Sequence, residues 1–313
     1  DESINVIEDI NLYNKTDELG EEKTKNDIVT LKNRGLLSGD DSGKLIWDNE
    51  DVLGRYSDLK TLVDSGGLFF TGDNFLMWTF PKEVFIGEIF KTVYILTYQF
   101  HNQIQKYYFD YFGITYEIRS ISKGGSLIEY SSDSDIIFRR NISKLINICN
   151  NEKLNFVGNA YEDGLGRKLY TALCISWIKR NPESLIILNK NIQNYFKNIT
   201  KSSGKERMWT TFKVFKSDIK SQVCSDKNFV HIGSRATNEY GDRTTLCYPV
   251  NRYINPFMYN FFFKQGIKID QDGYALSEMV QWIWRSAIRN GEKIDIYIPS
   301  ERMRNLLTTW LDV

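Results

Sequence analysis

In the second half of the chain, short runs of β-branched and aromatic residues recur between stretches of helical pattern. MWTTF (Met208 to Phe212), NFVHI (Asn228 to Ile232), TTLCYPV (Thr244 to Val250) and KIDIYI (Lys293 to Ile298) read as strands. SLIIL (Ser184 to Leu188) reads as another. Helices are expected at about 165–180, from Asn191, at 256–265 and at 276–289. Asn181-Pro182 ends the first of these, and Ser300 caps a last helix that reaches Trp310. Strands that alternate with helices predict an α/β fold whose sheets are mainly parallel.

The first half carries the same rhythm less regularly. LFFTGDNFLMWTF (Leu68 to Phe80) sets a turn tetrapeptide between two aromatic runs, which predicts a β-hairpin. Pro81 opens a helix over 82–90, VYILTY (Val93 to Tyr98) reads as a buried strand, and a helix over 101–112 closes at Gly113. ITYEIRSI (Ile114 to Ile121) alternates like a strand. Residues 11–66 are polar, charged and glycine-punctuated, and 11–80 reads as a helical and loop insertion with the hairpin at its end. Residues 122–160, rich in Ser, Asn and Gly, hold the expected boundary between domains at 1–145 and 146–313.

The 313 residues carry 40 basic and 40 acidic side chains, so global charge selects no polyanionic partner. Locally, residues 1–50 hold 13 acidic and 6 basic residues, whereas 119–220 hold 18 basic and 9 acidic. A basic middle is compatible with a nucleic-acid track and equally with a solvated, unevenly charged surface. Cys149, Cys174, Cys224 and Cys247 form no CxxC pair, and there are two histidines, which disfavours zinc and suits free thiols in a reducing compartment. No apolar run approaches the ~20 residues of a membrane span, so a cytoplasmic location is expected.

Within QWIWRSAIRNG, residues Gln281, Arg285 and Arg289 fall at i, i+4 and i+8 of the expected helix, on one flank. Arginine matches the forked geometry of phosphate and carboxylate. The stripe therefore presents donors to a ligand, or it makes salt bridges such as Glu278 to Arg285.

Gln281 and Arg285, with Arg289 following, resemble motif VI of superfamily 2 helicases, Q-x-x-G-R-x-x-R. ATNEYGDRTTLCYPVNRYINP, DQDGYALSEMVQWIWRSAIRNG and IYIPSERMRNLLTTWL together resemble DEAD/DEAH-like helicase proteins of bacteriophages and mobile elements. Two RecA-like domains are then implied, the first incomplete. Asp1 and Glu2 match motif II, where the Asp holds Mg2+ through water and the Glu activates the attacking water. Thr97 matches the hydroxyl of motif III. No phosphate-cradling G-x-x-x-x-G-K-[ST] is present: GDDSGKL (Gly39 to Leu45) is one residue short and ends in Leu. The resemblance thus implies that motif I and half of the first RecA-like domain lie upstream of Asp1, and that the chain alone does not hydrolyse ATP.

The resemblance also assigns roles. ATP and Mg2+ are the implied cofactors, and nucleic acid, DNA before RNA, is the implied partner. Arg285 and Arg289 would approach the γ-phosphate and Gln281 would sense nucleotide. Arg235, Thr237 and Asn238 would contact the strand or couple it to hydrolysis. Lys123, with Arg119, Arg139 and Arg140, adds basic candidates. MYNFFF (Met258 to Phe263) either stacks bases or packs inside a helix. Two other readings stay open: a non-catalytic helicase-like module that binds nucleic acid or a partner, and an unrelated α/β enzyme whose arginine pair holds a phosphorylated metabolite.

Overall fold

The computed structural model describes residues 6–10, 29–40, 43–48, 56–70, 75–122, 124–234 and 238–312. They form two compact units, one of residues 1–116 with 254–270 and one of 117–253 with 271–313. The boundary expected at 145/146 falls inside the second unit.

In the first unit, strand β1 (Ile7–Ile10) pairs with β5 (Phe75–Trp78), which pairs with β4 (Leu68–Phe70). Strands β2 (Leu37–Gly39) and β3 (Leu45–Trp47) make a separate pair. The β4–β5 hairpin is the one the aromatic runs predict. Every pairing in this unit, among the described residues, is antiparallel, so the parallel layer expected here is not what forms. Trp78 packs edge-on against Tyr108 and Phe261, at ring distances of 5.0 and 5.4 Å. These bring together the hairpin, the helix Ile104–Phe112 and the helix Pro256–Lys264. Gly113 ends the former with a φ of 64°, a left-handed turn that a Cβ would disfavour. Phe261 and Phe262 of MYNFFF are thus core, whereas Phe263 is 66% exposed.

Residues 93–98 depart most from expectation. They are irregular, and Tyr94 is 60% exposed. The Gln103 amide donates to Thr97 Oγ1 at 2.7 Å and to the Tyr98 carbonyl at 2.9 Å, and so takes up one backbone acceptor that a strand would offer a neighbour. Pro81 opens only a single 3-10 turn, Lys82–Val84.

The second unit is built on a four-stranded parallel sheet, in the order β11 (Arg207–Trp209), β12 (Thr245–Cys247), β13 (Ile294–Tyr297) and β8 (Ile146–Ile148). A parallel bridge from Trp209 to Phe229 extends the β11 edge, which is all that forms of the strand expected at 228–232. Two short antiparallel hairpins stand outside the sheet. One pairs β6 (Arg119–Ile121) with β7 (Leu127–Glu129), and the other pairs β9 (Tyr161–Glu162) with β10 (Lys168–Leu169). Only the last three residues of the strand expected at 114–121 therefore pair.

SLIIL is helix, not strand, and opens the helix Ser184–Asn194. Ser184, Leu188, Ile192 and Tyr195 are buried at helical spacing, whereas Ile186 and Ile187 face solvent. A five-residue apolar run cannot reveal that period by itself. The helix expected over 165–180 is reduced to Ile175–Arg180 by the β9–β10 hairpin. β8 and the helix Ser132–Ser143 lie in the stretch read as a polar boundary. Their signals are the Ile-Asn-Ile alternation and the Asp135–Arg139 pair at i, i+4, a 2.9 Å ion pair.

The core beneath the sheet includes Trp209, Leu188, Ile192, Tyr195, Phe196, Cys247 and Tyr297. Full burial of such side chains stabilises by roughly 1.5–3 kcal/mol each. All four cysteines are free thiols, and burial pushes Cys224 up to about 12, so it packs rather than reacts.

Arg302 braces the last helix, Glu301–Leu311. Its guanidinium meets Asp272 Oδ1 at 2.6 Å, Asn251 Oδ1 at 3.0 Å and the carbonyls of Arg252 and Gln271 at 2.7 and 3.1 Å. Arg302→Met keeps the stem and strips these partners, so a loss of about 2 kcal/mol is expected in denaturant unfolding. An unchanged midpoint would contradict that bracing role.

Candidate functional site

The amino ends of β12 and β13 lie side by side, with Thr245 opposite Asp295. Each strand is approached by a turn, and the two turns bond to each other. Ala287 N donates to the Arg243 carbonyl at 2.9 Å, and Asp295 N to the Thr244 carbonyl at 2.8 Å. The Asn290 amide donates to the Gly241 carbonyl at 2.9 Å. Arg289 Nη1 donates to Asn238 Oδ1. Gly241 lies against these groups: a Cβ there would stand 3.4 Å from Asn290 Nδ2 and 3.8 Å from Arg289 Cδ, in ordinary contact.

Sequence dictates the turn before β13. The helix Gln271–Ile283 stops before Arg285. Ser286 Oγ donates to the Ile283 carbonyl at 2.7 Å and accepts from Ile288 N, which ends one helix and caps the 3-10 turn Ala287–Asn290. Gly291, at φ 79°, closes that turn. Gln281, Arg285 and Arg289 therefore do not share a helix flank, which corrects the expected stripe. Gln281 sits in the last helical turn, Arg285 follows the helix end, and Arg289 lies on the 3-10 turn.

Their exposures differ accordingly. Arg285 is 8% exposed, whereas Arg289 and Asn290 face solvent. Glu278 pairs with Arg252 at 3.6 Å, not with Arg285 as expected of a helical salt bridge. Arg289 is thus an accessible cation steadied by one amide, able to meet an anionic group. Arg285, two residues past the helix end, is buried. The sequence reading missed Gly241, Arg243 and Asn290; the N-E-Y-G-D-R turn signal before β12 could have pointed to the first two.

Thr97 belongs to the first unit and accepts the Gln103 amide. Asp1, Glu2, Lys123, Arg235 and Thr237 lie outside the described residues. Arg119 pairs with Glu117 at 2.7 Å and Arg139 with Asp135, so neither presents an uncompensated charge. Trp282 is core, its indole N–H donating to the Val230 carbonyl at 3.0 Å. No group of three or more His, Cys, Asp or Glu among the described residues could hold a metal ion. No helix among them is long and apolar enough to cross a membrane.

His231, past the β11 edge, has its pKa lowered from 6.5 by burial and then by the Arg252 and Lys213 charges. The fold favours the neutral ring, so the stability it contributes is present above the unfolded value and lost as pH falls through the folded one. Melting temperature should drop on acidification below about pH 6.5, and less steeply in His231→Gln. Thermal melts of equal pH slope for both proteins would contradict this.

A parallel sheet with crossover helices makes the second unit a Rossmann-like α/β domain. Comparison with known proteins agrees: residues 140–311 match the YonV C-terminal Rossmann-like domain, and residues 22–78 the YonV middle domain. The chain is also 36% identical over 322 residues to the SPbeta prophage-derived uncharacterized protein YonV of Bacillus subtilis (strain 168). That alignment spans 100% of this chain and 72% of the relative. The chain belongs to the YonV family. No solved structure matches it.

Proposed function

We propose that this chain is the arginine-bearing part of an ATP-dependent nucleic-acid helicase or translocase, its second unit acting as a RecA-like domain that closes on nucleotide. One observation carries the reading. Arg289 and Asn238, assigned separately by motif order, meet at the amino edge of β12 and β13. The order of strand, helix, arginine-bearing turn and parallel strand supports it.

The residues fit ATP in part. Arg289 is exposed and suits a polyphosphate, whereas Arg285 is nearly buried and suits a positioning role. ATP, when bound, supplies a phosphoryl group whose transfer depends mainly on positioning and charge stabilisation. Arg289 would neutralise charge developing on that group, and Asn238 would hold the guanidinium in place. Asp1, which the resemblance assigns to Mg2+, lies outside the described residues, and among these no group of three or more His, Cys, Asp or Glu could hold a metal ion.

The alternative is a non-catalytic helicase-like module that binds nucleic acid or a partner. The β6–β7 hairpin favours it, for Ile121, Leu127 and Ile128 are all exposed there. ATP turnover by the full gene product, with and without single-stranded nucleic acid, separates the two. Stimulated turnover lost in Arg289→Ala supports the motor, and strand binding without turnover supports the module.

A further inference from the structure

We infer that the β6–β7 hairpin is the contact through which this chain pairs with a second copy of itself, edge to edge along β6. The alternation of ITYEIRSI predicts a strand over 114–121, yet only Arg119–Ile121 pairs, and only with β7. A lone two-stranded hairpin is marginal in water, and three or more strands with an apolar face are needed for independent stability. This hairpin stands outside the parallel sheet, with Arg119, Ile121 and all of β7 exposed. Its outer edge is therefore a template for a further strand.

Register fixes which groups that edge offers. Ser122 N donates to the Ser126 carbonyl at 2.9 Å, and the pairs that follow are Ile121 with Leu127, Ser120 with Ile128 and Arg119 with Glu129. Antiparallel bonds alternate along a strand, so Ser120 turns its backbone groups to β7, whereas Arg119 and Ile121 turn theirs to the open edge. By the same alternation Ile118 faces β7 and Glu117 faces the open edge.

The two faces of the hairpin differ in kind. Ile118 and Ser120 share one face with Ile128 and Tyr130, and the three large side chains there are about half exposed. Glu117, Arg119 and Glu129 share the other, where Arg119 Nη2 meets Glu117 Oε2 at 2.7 Å.

A second copy fits this edge about a two-fold axis at Ile118. Pairing about that axis sets Glu117 of each copy opposite Arg119 of the other, at positions whose backbone groups both face the open edge. A row across the joined strands then reads Glu129, Arg119 and Glu117 of the second copy, with charges that alternate in sign. An axis at Arg119 would instead set two guanidiniums against each other. Opposite charges directly across a strand pair stabilise it, and like charges destabilise it. The axis at Ile118 also joins the two apolar faces into one, on a four-stranded sheet. Such a contact is self-complementary, so each favourable pair is made twice.

Sedimentation equilibrium of the whole chain tests the contact. A dimer is expected to be populated by about 100 μM, as for contacts at the small end of specific interfaces. Arg119→Glu sets like charges across both symmetric pairs and should weaken the dimer about 10-fold or more. The sharper variant is Glu117→Arg/Arg119→Glu/Glu129→Arg. It reverses all three charges and keeps every pair, within one chain and between two like chains, so it should dimerise as the parent does. Mixed with the parent, it should form few mixed dimers in native mass spectrometry, because like charges then meet twice across the axis. A parent that is monomeric at about 100 μM overturns the inference. So does a dimer indifferent to Arg119→Glu, a charge-reversed protein that stays monomeric, or mixed dimers at the share that random pairing gives.

Discussion

Gly158→Val is expected to cost the second unit about 4 kcal/mol or more, at the upper end of single substitutions. A Cβ at this position would lie 2.3 Å from the Pro299 oxygen, 2.5 Å from its carbonyl carbon and 2.8 Å from Leu173 Cδ1. Two of these are backbone atoms at the carboxyl end of β13, so no rotamer relieves the clash. The loop they would push outward is anchored by Ala160 N, which donates to Glu301 Oε2 at 2.8 Å, and Lys168 bonds the other oxygen of that carboxylate at 3.0 Å. At this domain size the loss is roughly 8–16 °C in melting temperature. Gly164→Ala, where a Cβ would meet nothing within 4 Å, is the control and should melt like the parent. A Gly158→Val protein that melts with the parent would show that the loop and β13 are not in contact.

Arg289→Ala is expected to reduce nucleic-acid-stimulated ATP turnover of the full gene product by on the order of 10³-fold. The same change should move stability by no more than about 0.5 kcal/mol, because Arg289 is exposed and its bond to Asn238 joins two surface turns. Arg285→Ala cannot make that distinction. Its side chain is nearly buried, so the variant is expected to lose melting temperature along with any activity. The comparison to read is turnover against melting temperature for both variants. Equal loss of both quantities in Arg289→Ala would make it a structural residue and remove its assigned role.

The parallel sheet was legible because three of its strands, at 208–212, 244–250 and 293–298, are apolar runs bounded by turn signals and separated by helix-length stretches. β8 was not, because Asn147 and the asparagines after Ile148 make a short strand look like a linker. SLIIL misled for the opposite reason: it is apolar enough for a strand, and only the later Ile192 and Tyr195 reveal a helical period. At the site, the spacing of Gln281, Arg285 and Arg289 suggested one flank of one helix. The Ser286 hydroxyl, competing for the Ile283 carbonyl, breaks that continuity, and a periodicity argument cannot weigh it. The contact of Arg289 with Asn238 spans 51 residues and depends on β12 and β13 being neighbours. Strand order is a tertiary property, so motif order could name both residues without bringing them together.

Steady-state ATP hydrolysis by the full gene product, with and without single-stranded DNA or RNA, tests the motor reading most directly. Turnover that rises when the strand is added, and disappears in Arg289→Ala while the protein stays folded, is the predicted result. A folded gene product with no nucleic-acid-dependent turnover would contradict it.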